Sequence, residues 1–318
     1  LDGGVIVQPR TVSLPVFLAA ALVAFASPAS ALTVSGTLGP EYGSPLVVQT
    51  SQSDVGGIGD PTAQVNLNGG SQLDAVYGYV SGGTLYLFFT GNLTFYYVLE
   101  GGGVTQWLPL DVFIDCAPGG QHQLLANNPA IDPVIYNLNN MAGLTFDNGF
   151  AADYWLSLGG GIPGNWPHLT ACFATLPTGG GGIGAFLGST LPGPPGTLSG
   201  GTNPSGIQAT LDDSNKLGLG SGCGAATPVA VATGIEWAIP LAAIGNPTGC
   251  IRVCAFVANE IHSMVSNQVM GPIPPGTCSL TPAASTDFST LPGDQFFTIC
   301  PPTPVRQESW GTLKTLYR

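Results

Sequence analysis

The chain reads as an all-β protein, an antiparallel β-sandwich with long Gly/Pro-rich loops and few short helices. Three observations predict it. Short runs of β-branched and aromatic residues recur between clusters of Gly, Pro, Ser and Asn, with few helix-period segments among them. Glycine (47) and proline (28) approach a quarter of the 318 residues without a Gly-X-Y period, so they belong to turns and long loops and not to collagen. Hydrophobic residues make up 44% and charged residues 8%, which is enough apolar material for a sizeable core and too little charge for a disordered acidic chain.

An export signal comes first. Arg10 precedes the apolar run 14–26, and Ser27, Pro28 and the small-residue triplet Ala29-Ser30-Ala31 follow it. That is the basic, apolar and A-x-A order of a secretory signal peptide, so cleavage is expected after Ala31 with residues 1–31 removed. A transmembrane anchor is the competing reading, but the run is shorter than the roughly 20 residues a span needs, and no later segment reaches that length. The expected location is secreted or cell-surface.

Residues 32–38 read as a first strand ending at Gly39-Pro40, and 45–50 as a second; 51–70 are polar and Gly-rich. The clearest pair is 73–80 with 84–90, two aromatic and β-branched runs around Ser81-Gly82-Gly83, which predicts a hairpin. Both runs are apolar on both faces, so the hairpin should lie centrally in its sheet. Leu110–Asp115 alternates: Leu110, Val112 and Ile114 face one way, Asp111, Phe113 and Asp115 the other. Residues 229–237, 250–257 and 295–300 supply further strands, and 239–244 one helical turn with Pro240 near its start. The Gly/Pro/Ser/Thr-rich stretch 177–206 reads as a loop inserted in a single domain, 32–300, with a domain boundary as the alternative. Pro301-Pro302-Thr303-Pro304 is a stiff linker, and in 305–318 Trp310, Leu313, Leu316 and Tyr317 would share one face of a short helix. Linker and tail together span 301–318, and residues 305–318 are expected to pack little on the sandwich and to serve sorting, anchoring or docking.

Seven cysteines follow the signal: Cys116, Cys172, Cys223, Cys250, Cys254, Cys278 and Cys300. In an oxidising compartment they read as disulfides, at least two of them intramolecular. Seven is odd, so at least one thiol is left over or pairs between chains. Cys250 and Cys254 sit on one strand with Cα atoms roughly 13 Å apart, beyond the disulfide reach of about 7 Å, and are excluded as a pair. Cys278–Cys300 is the first choice, because both follow Pro-rich segments and a bridge would close a loop of about 20 residues. Zinc is the alternative, but no two cysteines show the C-x-x-C spacing of a cysteine-based zinc site.

Net charge is −12, and between Leu32 and Val305 the only basic residues are Lys216 and Arg252. Nucleic acid requires clustered cations and is excluded as a partner; an anionic membrane surface is disfavoured for the same reason. Cations, an uncharged glycan or a surface protein remain.

Many segments fall into a recognisable set. They are Tyr42-Gly43-Ser44-Pro45 with Leu46-Val47-Val48-Gln49-Thr50, Leu73-Asp74-Ala75-Val76-Tyr77-Gly78, Leu110–Asp115 with Gly119-Gly120, Met141-Ala142-Gly143-Leu144-Thr145-Phe146-Asp147 and Ala152-Asp153-Tyr154-Trp155. Leu211-Asp212-Asp213-Ser214-Asn215, Gly234-Ile235-Glu236-Trp237-Ala238-Ile239-Pro240-Leu241, Ser266-Asn267-Gln268 and Gly293-Asp294-Gln295 complete it. Together they resemble an uncharacterised family of secreted bacterial β-sandwich proteins, which often carry a separate C-terminal sorting or anchoring tail. Trp310-Gly311, Lys314 and Tyr317-Arg318 are similar to such a tail. More distantly, the Glu236–Leu241 segment is similar to family 9 carbohydrate-binding and DOMON-like modules, which implies a jelly-roll-like sandwich; their aromatic clamp has no matching residues here.

No G-x-S-x-G motif is present, and His122, His168 and His262 lack an evident Ser or Asp companion, so loop or core roles are expected. Asp111 and Asp115 form the best carboxylate pair, roughly 13 Å apart along one strand and wider than either glycosidase geometry unless other strands contribute. The alternative is a solvated sheet face. Asp212, Asp213 and Asn215, with Ser214 between them, are hard oxygen ligands suited to Ca²⁺, or else an Asx turn; Asp54–Asp60 is a lesser candidate. Tyr96, Tyr97, Trp107, Trp155 and Trp166 are candidates for a glycan platform, the alternative being core or loop anchors. The leading expectation is a non-catalytic secreted or cell-surface module, structural or binding, with no cofactor unless Ca²⁺. A carbohydrate-binding module and a polysaccharide-acting enzyme with dispersed carboxylates are the alternatives.

Overall fold

In a computed structural model, residue 3 and residues 33–53, 71–93, 108–131, 137–160, 168–215, 223–225, 231–280 and 282–301 are described. Packing divides the chain into Leu1–Ala31 and Leu32–Arg318, and the β-structure belongs to the second unit. The signal segment apart from residue 3, residues 54–60, Tyr96, Tyr97, Trp107, Trp166, Lys216 and the tail 305–318 lie outside the described residues.

The strands are β1 (Val47–Val48), β2 (Gln72–Ser81), β3 (Thr84–Asn92), β4 (Leu110–Asp115), β5 (Tyr154–Gly160), β6 (Leu169–Thr175), β7 (Gly184–Thr190), β8 (Ser199–Gly200), β9 (Gln208–Leu211), β10 (Gly234–Pro240), β11 (Ile251–Ala258), β12 (Val265–Val269) and β13 (Phe297–Ile299). They build two antiparallel sheets packed as a β-sandwich. One runs β1-β2-β3-β10-β9; the other runs β12-β11-β4-β5-β6-β7-β8, with β13 also on β11. Helical structure among the described residues is confined to 3₁₀ turns, including Leu241–Ile244 where the sequence indicates one turn. The expected hairpin is β2–β3, interior in its sheet, and Gly82 and Gly83 supply the left-handed turn (φ 55° and 77°) that closes it.

Alternation along the strands separates three apolar layers. Leu110, Val112 and Ile114 of β4 meet Leu87 and Phe89 of β3 and Trp237 of β10 in the core between the sheets. Phe113, Trp155, Phe256 and Cys254 point to the other side of the larger sheet, where loop residues Phe146, Phe150 and Phe288 cover them. On the outer face of the smaller sheet, Val34 and Tyr42 of the N-terminal segment cover Tyr86 and Phe88. Each such buried large side chain contributes about 1.5–3 kcal/mol.

Residues 33–38 are a strap and not a named strand: one bridge, Thr37 to Thr233, joins them to the sheet. Gly36, at φ 74°, crosses so close to Asp212 that a Cβ would stand 2.6 Å from its backbone nitrogen. The stretch 177–206, expected as a loop, contains β7 and β8, and β7 pairs along β6. Its glycines hide a strand because Phe186 and Leu187 supply its apolar contacts almost alone.

Two disulfides form, Cys223–Cys278 and Cys250–Cys300. The expected pairing Cys278–Cys300 is therefore wrong. Antiparallel pairing of Ile251 with Ile299 sets Cys250 beside Cys300, a neighbour invisible before the strands are paired. Cys116, Cys172 and Cys254 stand outside the two bridges. Among the described residues, no helix is long and apolar enough to cross a membrane.

Candidate functional site

The outward face of β4 carries Asp111, Phe113 and Asp115, as its alternation requires, but it is not a solvated face. Phe113 packs on Phe146 and Phe256 and draws the loop layer over the sheet. Beneath that layer Asp111 accepts a 2.9 Å hydrogen bond from Trp155 Nε1 and another of 2.9 Å from His262 Nδ1. All three residues are 0% exposed. The cluster is sealed, so neither Asp111 nor Trp155 presents a surface to a ligand. Trp155 is a core anchor whose indole N–H satisfies a buried carboxylate, as burial of that polar group demands.

The cover stops at Asp115. There Arg252, directly across from Asp115 in the β4–β11 register, donates from Nη1 to Asp115 Oδ2 at 3.0 Å and to the Gly149 carbonyl at 2.9 Å. The Ala151 amide also donates to Asp115 Oδ2, at 3.3 Å. Arg252 is the one exposed residue of β11, its side chain 47% exposed, while Asp115 is largely buried. An open cleft of about 480 Å³ lies over this pair, lined by Asp115, His122, Asn148, Gly149, Phe150, Ala151 and Arg252. His122 donates from Nδ1 to the Phe150 carbonyl at 3.0 Å, which fixes the ring at the rim. A second cleft of about 320 Å³ adjoins Asp153 and the Gly119-Gly120 turn. Burial and the neighbouring Asp153 and Asp115 push the Cys116 thiol up to about 12, which keeps it protonated and unreactive at neutral pH.

The other acidic groups that the sequence singles out hold the fold. Glu236 accepts from the Ser35 and Gly36 amides at 2.6 and 2.9 Å and from the Tyr42 hydroxyl at 2.9 Å. Burial, with Glu236 beside it, drives the Tyr42 hydroxyl far above its usual range. Asp153 receives the Cys116 and Ala117 amides, each at 2.8 Å, and Asp147 the Gln295 amide at 2.6 Å. Burial raises both carboxyls while these donors oppose it. Gln49, Asn267 and Gln268 form a buried polar seam that ties 49–53 to β12 and, through Gln268, to Leu73 of β2. In the candidate calcium segment, Asp212 Oδ1 accepts from the Ser214 amide at 3.0 Å, the bond of an Asx turn. Asp213 is buried, and the Asn215 carbonyl receives Asn92 Nδ2. Among the described residues no group of three or more His, Cys, Asp or Glu side chains is placed to hold a metal ion.

Sequence reasoning found Asp115 but missed its partners. A lone arginine in the apolar run 250–257 was the available signal for Arg252, whereas nothing local to His122 reveals its place at the rim. Comparison with family models, curated proteins and solved structures returns no match.

Proposed function

We propose that the chain is a non-catalytic secreted or cell-surface binding module of the secreted bacterial sandwich kind that its sequence resembles. In this reading 1–31 direct export, 305–318 serve retention, and the ligand seats in the cleft over Asp115, Arg252 and His122. The observation that carries it is the division among the acidic groups. Asp111, Asp147 and Glu236 are buried and commit oxygens to donors of the fold, whereas Asp115 takes its bonds on Oδ2 and is the one carboxylate among the lining residues of the open cleft at the end of β4. Glycoside hydrolysis uses two carboxyl groups about 5–9.5 Å apart across the scissile bond. The two disulfides suit an oxidising compartment.

The test is retention of labelled chain 32–318 on isolated envelopes of the producing cells, with soluble sugar release followed in parallel. The expected outcome is saturable retention of the chain ended at Pro304 as well as of the full one, weakened at least tenfold in the shortened chain by combined Arg252→Met and His122→Ala, and no released reducing ends. Release of reducing ends that disappears in Asp115→Asn would replace the binding reading with a polysaccharide-acting enzyme.

A further inference from the structure

We infer that the cleft recognises a neutral vicinal diol, the paired adjacent hydroxyls of an uncharged sugar; this rests on the cleft being the binding site. The geometry supplies donors and acceptors side by side. Arg252, which lines the cleft, engages the protein through Nη1 only, to Asp115 Oδ2 and the Gly149 carbonyl, so Nε and Nη2 are donors without a partner among the described residues. Asp115 takes its bonds on Oδ2, which leaves Oδ1 an acceptor without one. His122 spends Nδ1 on the Phe150 carbonyl, which leaves Nε2 as the ring nitrogen for a ligand hydroxyl.

A hydroxyl is one donor and two acceptor lone pairs, and two adjacent hydroxyls answer a carboxylate and a guanidinium together. A charged ligand fits worse at either sign. An anion would approach Asp115 on a chain of net charge −12, and a cation would meet the Arg252 guanidinium. About 480 Å³ lies within the roughly 300–1,000 Å³ of small-ligand sites. Phe150, the one aromatic carbon ring in the lining, is buried, so recognition runs through hydrogen bonds and not through stacking.

The experiment titrates chain 32–318 with methyl glycosides of mannose, galactose and glucose, and with glucuronate and glucosamine as charged probes, reading backbone amide shifts. At least one neutral glycoside is expected to shift the Gly149 and Ala151 amides and to bind at least tenfold tighter than either charged probe. Arg252→Met should weaken it at least tenfold with the melting temperature unchanged, and His122→Ala should weaken it less. Cleft shifts strongest with glucuronate or glucosamine, or none with any neutral glycoside, would overturn the proposal. If envelope retention still depends on Arg252 in that case, the cleft remains a binding site and only the diol is removed. If retention is also independent of Arg252, both readings fail.

Discussion

Glu236 accepts two backbone amides and a tyrosine hydroxyl from a segment some two hundred residues earlier in the chain, so a single side chain fastens the strap to the outer sheet face. Glu236→Gln replaces one acceptor oxygen by an amide that confronts those donors. It should destabilise the fold by about 2–3 kcal/mol, seen as a lower urea midpoint at unchanged slope. Asp74 acts in the opposite sense. It is 8% exposed, and burial pushes its carboxyl up to about 7 although a bond from Gln72 pulls it down. Below its ordinary value of 3.8 the group is protonated in both folded and unfolded chains. As pH rises towards 7 the unfolded chain releases its proton first, so stability falls across that window and then levels. Asp74→Asn removes this loss. Its unfolding free energy from urea titration should match wild type near pH 3.5 and exceed it at pH 7.5 by on the order of 4 kcal/mol. At this scale the sequence showed which residues are polar and in which direction β4 alternates. It did not show that the Asp111 side is roofed, because the roof is made of Phe146 and Phe288 from loops distant in sequence.

Elements were legible where local signals agree. Leu110–Asp115, the β2–β3 hairpin and the turn after Pro240 lie where alternation, Gly82-Gly83 and proline place them. They were illegible where small residues dilute the pattern: β7 is Gly-Ala-Phe-Leu-Gly-Ser-Thr, and β12, Val-Ser-Asn-Gln-Val, is buried through polar side chains bonded to 49–53. Strand pairing also sets Cys250 beside Cys300, and the two disulfides span 55 and 50 residues. Loops of that length correspond to about 4 kcal/mol each in the chain-entropy account. Cys250→Ser with Cys300→Ser should therefore free the β13 edge from β11 and lower the melting temperature by roughly 10 °C. Non-reducing peptide mapping of the wild type should recover Cys223–Cys278 and Cys250–Cys300 and no Cys278–Cys300 peptide.

Across the whole molecule, the fold class followed from composition and periodicity, while the candidate site needed the register. Arg252 and Asp115 lie 137 residues apart and meet only because β11 pairs with β4. The same register explains why an acidic chain can leave one cleft near neutrality: its exposed guanidinium faces the single carboxylate of the lining. The central claim is a division of labour, in which covered carboxylates hold the sandwich and the Asp115–Arg252 cleft is left for a ligand. Thermal denaturation of Glu236→Gln beside Arg252→Met, in one buffer at pH 7, tests it most directly. An ion pair with a half-exposed arginine contributes about 0–1 kcal/mol, so Arg252→Met should melt within about 2 °C of wild type. Glu236→Gln should fall by roughly 5–10 °C. A fall for Arg252→Met as large as that for Glu236→Gln would make the cleft pair another fastening of the fold and contradict the claim.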